Sequence, residues 1–222
     1  MMKFEKILET ACLRKGGQRA VEALLPTVVD GDTLAGRSDA WYLSTLTRRI
    51  FRAGLRHALV DARWLAFEQA FFGFEPEKLV LMPDEMLDER MQDTRLIRHW
   101  GKMKAIRPNA RMVLDLSREH GGFGRFLASW PEDDITGLWR LLAKQGQQLG
   151  GNSAPQFLRM CGRDTWLPSR DVVAALVGQG VIDKSVASQR DQRAAQQAFN
   201  QWRAESGWPL AHISRVLSFT VG

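Results

Sequence analysis

Apolar side chains recur every three or four residues through most of the chain, and glycine, proline or a capping residue breaks the pattern at short intervals. That spacing lays a stripe along a helix rather than along a strand. Residues 1–25 predict an amphipathic helix pair, or one bent helix, interrupted at Gly16–Gly17, and a polar link over 26–37 follows. Ser38 and Asp39 offer caps for a helix through Trp41, Leu46 and Ile50 that ends near Gly54. Trp64, Phe67 and Phe71 stand at i, i+3 and i+7, the buried face of the next helix. Glu75–Pro76 and Met82–Pro83–Asp84 are turn and helix-start signals, and 83–92 reads as a short helix. Pro108 should bend or restart the helix that crosses it. Gly121–Gly124 is a further break, a helix runs over 135–145, and others begin near Ser153, Asp171, Arg190 and Pro209.

Composition agrees with an all-α chain. Among 222 residues, Leu (26) and Ala (23) far outnumber Val (13), Ile (7) and the single Tyr, so helix formers dominate strand formers. The length suits one large domain or two lobes around a shared core; residues 1–37 read as a helical segment and linker packed onto a domain over 38–222. Two cysteines, Cys12 and Cys161, make neither a disulfide framework nor a CxxC pair. The greasy stretch from Val21 to Val29 is broken by Glu22 and Pro26, far short of a membrane span, and no signal peptide is visible. The expectation is a cytoplasmic monomer that binds no membrane and needs no cofactor.

A net charge of +6 permits a polyanionic partner without naming one. Its distribution says more. From Arg95 to Arg111 there are six cations (Arg95, Arg98, Lys102, Lys104, Arg107 and Arg111) and no acid, and Arg48 to Arg63 holds five against Asp61. Such a run is also what a solvated helix face looks like.

The segment from Leu138 to Gly162 carries the sharpest local signal. A helix with Leu138, Leu141 and Leu142 enters the turn Leu149–Gly150–Gly151–Asn152, and a second helix begins at once, with Ser153 as its cap and Pro155 in its first turn. Helix, short glycine turn and helix is the layout of a helix-hairpin-helix DNA-binding unit. Glycines let backbone approach a phosphate, and N–H groups at the second helix's start receive its charge. Gly150, Gly151, Asn152 and Ser153 are therefore candidate DNA contacts, with Lys102 and Lys104 beside them. An ordinary αα-corner with a glycine turn has the same pattern.

Three segments extend the reading: AGLRHALVDARW from Ala53, FEPEKLVLMPDEML from Phe74, and MQDTRLIRHWGKMKAIRPNAR from Met91. With Gln92–Asp93, Ile97–Arg98–His99, Lys102, Ala105 and Asn109–Ala110 in order, the chain resembles the DNA-3-methyladenine glycosylase I family over roughly Ser38 to Gly162. The resemblance implies a two-lobed, all-α helix-hairpin-helix DNA glycosylase fold and, as partner, double-stranded DNA carrying damaged bases. It implies a base flipped from the duplex, held among aromatics, and an N-glycosidic bond hydrolysed, with alkylated purines such as 3-methyladenine as substrates.

The chain departs from that family in three places. The family's zinc ligands, a Cys and His near the start and a His and Cys near the end, have no counterpart, so no metal is expected. Arg49 stands where the family has its base-recognising glutamate, and His57 stands where it has a pocket tryptophan. Trp41, Arg49, Phe51 and His57 are thus the base-pocket candidates. In the wider superfamily an aspartate follows the hairpin and acts on the sugar or on water, and Asp171 resembles it in placement. An aspartate before Val-Val-Ala-Ala-Leu is also an ordinary helix-start residue. The alternative to a catalyst is a helix-hairpin-helix DNA-binding protein that keeps the fold without the reaction.

Overall fold

The computed structural model describes residues 1–221, and among them every regular element is helical. Helices α1 (Phe4–Lys15) and α2 (Gln18–Glu22) flank Gly16–Gly17, where Gly16 closes α1 at φ 87°. The chain continues through α3 (Gly31–Ala35), α4 (Asp39–Arg52), α5 (His57–Ala62), α6 (Trp64–Ala70), α7 (Pro76–Val80) and α8 (Asp84–Gln92). Next come α9 (Trp100–Lys104), α10 (Ile106–His120), α11 (Phe123–Ser129) and α12 (Ile135–Gln145). The last four are α13 (Ser153–Met160), α14 (Arg170–Gly178), α15 (Gln189–Ser206) and α16 (Leu210–Ser218).

Local signals account for most of these boundaries. The Ser38 hydroxyl accepts from the Trp41 amide at the start of α4, and Pro76 occupies the first turn of α7. Pro108 restarts rather than bends: α9 ends at Lys104, and the proline falls in the first turn of α10, where a missing N–H leaves no bond unmade. The predicted link over 26–37 contains α3, because the Asp30 carboxylate accepts from the Thr33 amide and Leu34 is buried. The helix around Trp64 divides in two at Arg63.

The described residues form two compact units. One comprises residues 1–29, 130–139 and 162–221. Its core is aromatic: Trp166 lies 4.5 Å from Trp139 and stacks on Phe199 at 4.8 Å, while its indole N–H donates to Gln196. The Asp164 carboxylate, buried, accepts from the Leu210 and Ala211 amides at 2.9 and 2.7 Å and so caps α16 from a distant stretch of chain.

The other unit comprises residues 30–129 and 140–161. Helix α4 runs through it with Tyr42, Leu43, Leu46, Ile50 and Phe51 buried. An aromatic cluster of Phe51, Trp64, Phe67, Phe71 and Phe74 packs along one side, with Trp64 and Phe74 nearly parallel at 5.5 Å. On the other side the Tyr42 hydroxyl donates to the Leu34 carbonyl at 2.7 Å and its ring meets Phe123 edge-on.

Gly124 lets α11 approach α3 closely: a Cβ there would stand 2.1 Å from the Leu34 carbonyl oxygen, which is backbone and cannot step aside alone. Gly124→Ala is therefore expected to destabilise the protein by about 1–3 kcal/mol, read from urea unfolding.

Candidate nucleic-acid interface and base site

Helix α4 carries three arginines, and its surroundings treat them differently. Arg52 and Arg48 share Asp61: Arg52 Nη2 reaches its two oxygens at 2.7 and 2.6 Å, and Arg48 Nε reaches one at 2.9 Å. Burial alone would raise the Asp61 carboxyl, but the bonds from Arg52 and Arg48 hold it below the usual range. Arg49, between them, has a buried Nε with no hydrogen-bond partner. Burial first, and the neighbouring Arg52 second, push its guanidinium below its ordinary value.

Of the other base-pocket candidates, Trp41 is 38% exposed at the first turns of α4, with the Arg37 guanidinium 4.3 Å over its ring. His57 is exposed as the first residue of α5. Phe51 has no exposed surface and sits among Trp64 and Phe67, so it is placed as a core residue. It contributes through its backbone, because its carbonyl accepts from Lys102.

That bond changes the reading of the basic run. Lys102 is buried, and its ammonium donates to the Phe51 carbonyl at 3.2 Å and to that of Ala53, the open C-terminal end of α4. Burial, and then Arg49, lower its pKa. Arg95 pairs with Asp93 at 2.7 Å, Arg107 with Asp84 and the Met82 carbonyl, and Arg111 approaches Asp115 at 3.9 Å. Acids just outside the run thus neutralise half of it. Arg98 and Lys104 remain exposed, with Lys104 5.4 Å from the ring centre of Trp100, itself 42% exposed. Two outward cations beside a bare aromatic face suit a nucleic-acid strand. Trp100 is not singled out by the sequence, since an exposed tryptophan in a helical stretch reads as core until its burial is known, and Arg98 counts there only within the basic run.

The hairpin follows α12. Gln148 and Gly151 take left-handed backbone (φ 62° and 56°), and Gly150, Gly151 and Asn152 are exposed. A Cβ at Gly150 or Gly151 would meet nothing within 4 Å, so the turn presents bare backbone outward. Its base is pinned from within. Buried Asn109 donates to the Gln147 carbonyl at 3.1 Å and accepts from the Gln147 amide at 2.7 Å. Leu149 is buried beneath the turn. Asn152, rather than Ser153, occupies the N-cap position of α13, while Ser153 is the first helical residue and is buried. Arg52 reaches the Met160 sulfur at 3.8 Å, which ties α13 to α4. Hairpin helix and Lys102 are both anchored on α4.

Asp171 belongs to the unit formed by residues 1–29, 130–139 and 162–221. It is exposed in the first turn of α14, and the capping bond there comes from Ser169, whose hydroxyl accepts from the Val172 amide at 3.3 Å. No three His, Cys, Asp or Glu side chains among the described residues come together as metal ligands. Cys161 is fully buried with its thiol pushed well up by burial, the opposite of a ligand thiolate. The residues present do not fit the zinc site of the resembled family. No helix among the described residues is long and apolar enough to cross a membrane.

An all-helical chain with an exposed glycine hairpin between α12 and α13 defines a helix-hairpin-helix architecture. The methyladenine glycosylase family model matches residues 36–147, just over half of the chain, and the protein belongs to that family. The DNA-3-methyladenine glycosylase 1 of Escherichia coli is 33% identical over 79 residues, 36% of this chain and 42% of that protein. The aligned part is therefore less than half the length of the relative. The 3-methyladenine DNA glycosylase I of Staphylococcus aureus superposes with a TM-score of 0.53 at 22% identity, covering 69% of this chain and 91% of that one. The 8-oxoguanine glycosylase/lyase of Methanocaldococcus jannaschii, in complex with DNA, superposes with a TM-score of 0.52 at 14% identity over 96% of both chains. These likenesses show the fold.

Asn109→Ala removes both bonds to Gln147 and leaves that residue's amide and carbonyl without their side-chain partner. It is expected to lower stability by about 1–3 kcal/mol and to speed hydrogen exchange at the Gln147 amide selectively over that of core helix amides.

Proposed function

We propose that this protein is a monofunctional DNA glycosylase of base-excision repair, which hydrolyses the N-glycosidic bond of a damaged base turned out of double-stranded DNA. The family match carries the reading, and the pinned, outward-facing Gly150–Gly151–Asn152 turn supports it. Family membership makes alkylated purines, 3-methyladenine among them, the first substrates to assay.

The division of labour follows from charge. Backbone at Gly150 and Gly151, with Lys104 and Arg98, meets phosphates and positions the duplex without reading sequence. When the C1′–N bond breaks, its electron pair leaves with the base and positive charge gathers on the sugar. Water then adds to C1′ and gives up a proton, which passes to an uncharged base as it leaves or, where the base was already cationic and departs neutral, to solvent. A carboxylate stabilises that sugar cation and accepts the proton of the water, the role assigned to Asp171. The sequence Gly150–Phe157 contains no lysine to form a Schiff base, so water is the nucleophile and no strand cleavage accompanies release.

The test is incubation with duplex DNA carrying alkylated or uncharged damaged bases and chromatography of the released bases. Asp171→Asn is expected to abolish release while leaving DNA retention near that of the wild type; undiminished release would remove Asp171 from the reaction. Retention of DNA by the wild type without any release would make the protein a binding module. Gly151→Asp sets a negative charge against the phosphate and is expected to weaken binding most at low salt. Binding with an unaltered salt dependence would take the hairpin out of the interface.

A further inference from the structure

Arg49 is the unexplained charge of this molecule. Asp61 occupies Arg48 and Arg52 but not Arg49, whose buried Nε finds no acceptor among the described residues. The charges that act on it are positive: Arg52 bears on Arg49, and Arg49 in turn bears on Lys102. Neither relieves the other, since Lys102 is already bonded to the Phe51 and Ala53 carbonyls. A partly desolvated guanidinium with an unmet donor costs stability, and a functional site whose ligand completes the donor is one reason for a folded protein to keep it. Trp41 and Thr45 lie eight and four residues earlier on the same face of α4, and Trp41 offers exposed aromatic surface there.

We infer that Arg49 is the specificity-determining donor of the base site, selecting an uncharged base that presents carbonyl-oxygen or ring-nitrogen acceptors and disfavouring a ring-alkylated purine that carries positive charge. The inference rests on the reading above that the ligand is a base in DNA, and it narrows the class of that base. The planar guanidinium fork matches two adjacent acceptors, such as the O6 and N7 edge of a purine. A cationic base would instead add like charge beside Arg49, Arg52 and Lys102. A backbone phosphate is the less fitting partner, because the unmet donor is a buried atom while phosphates meet exposed side chains such as Arg98 and Lys104.

The test uses duplexes with one central nucleotide, fluorinated at the 2′ carbon to block cleavage. That nucleotide carries hypoxanthine, which is uncharged with O6 and N7 acceptors, or 7-methylguanine, which is cationic at mildly acidic pH with N7 blocked. Affinities are measured by fluorescence anisotropy over a range of salt. The wild type is expected to prefer the hypoxanthine duplex by about tenfold, and Arg49→Gln to reduce that preference to about twofold or less. The salt slope should not change, and the Tm of Arg49→Gln should equal or exceed that of the wild type. Arg49→Lys, which keeps the charge and loses the fork, should fall between the two.

A wild type that prefers 7-methylguanine, or that does not discriminate, overturns the inference. So does an Arg49→Gln variant that weakens both duplexes alike and lowers the salt slope by about one, since that marks a phosphate contact. A lowered Tm with discrimination intact would make Arg49 structural. Base release from the unfluorinated duplexes is scored separately. Discrimination without release fails the hydrolase reading alone, and release without discrimination fails this inference alone. A wild type that binds neither duplex fails both.

Discussion

The ammonium of Lys102 on the last carbonyls of α4 is the contact on which the candidate DNA-facing unit depends. A helix ends with carbonyls that no residue of its own can satisfy, and they form the negative end of its dipole. In α4 that end is partly buried beside the aromatic cluster, and Lys102 bonds both Phe51 and Ala53 from 51 and 49 residues away. Because α4 also holds α13 through Arg52 and carries Trp41 and Arg49, fixing its end fixes the base of the hairpin helix and the candidate pocket wall together.

The same contact shows why a run of like charges is a poor guide to a surface. Six cations between Arg95 and Arg111 look like a strip for phosphates. One is buried as a helix cap, and three lie against acids that flank the run. Arg98 and Lys104 stay outward with Trp100 between them. The exposed charge is thus narrower than the count suggests, which leaves Arg98, Lys104 and the hairpin backbone as the proposed contacts with DNA. On α4, by contrast, the arginine without a partner is the informative one, since the structure leaves it a donor to satisfy.

Much of the fold was legible because it is written in neighbouring residues. Ser38 before α4, Gly16 after α1, Pro76 and Pro108 in first turns and the glycine turn at 150–151 each act within four residues, and each stands where the pattern put it. Helix α3 was not legible, since five residues make a helix there only with Leu34 buried and its carbonyl taken by Tyr42. Phe51 could not be told from a pocket residue, because helical spacing marks a face as buried without saying what covers it. Ser153 differs by a single position, with Asn152 at the cap and the serine beneath the first turn.

By itself, then, the sequence determined an all-helical chain, most of its helix boundaries, the glycine hairpin and the family blocks, all consequences of short-range geometry. Tertiary structure alone decided which charges and polar groups are available. Asn109 grips Gln147 across 38 residues, and Asp164 caps a helix 46 residues further on. The reason is physical: a buried polar group must be satisfied by whatever the fold brings within hydrogen-bond distance, and for these groups the partner lies far along the chain.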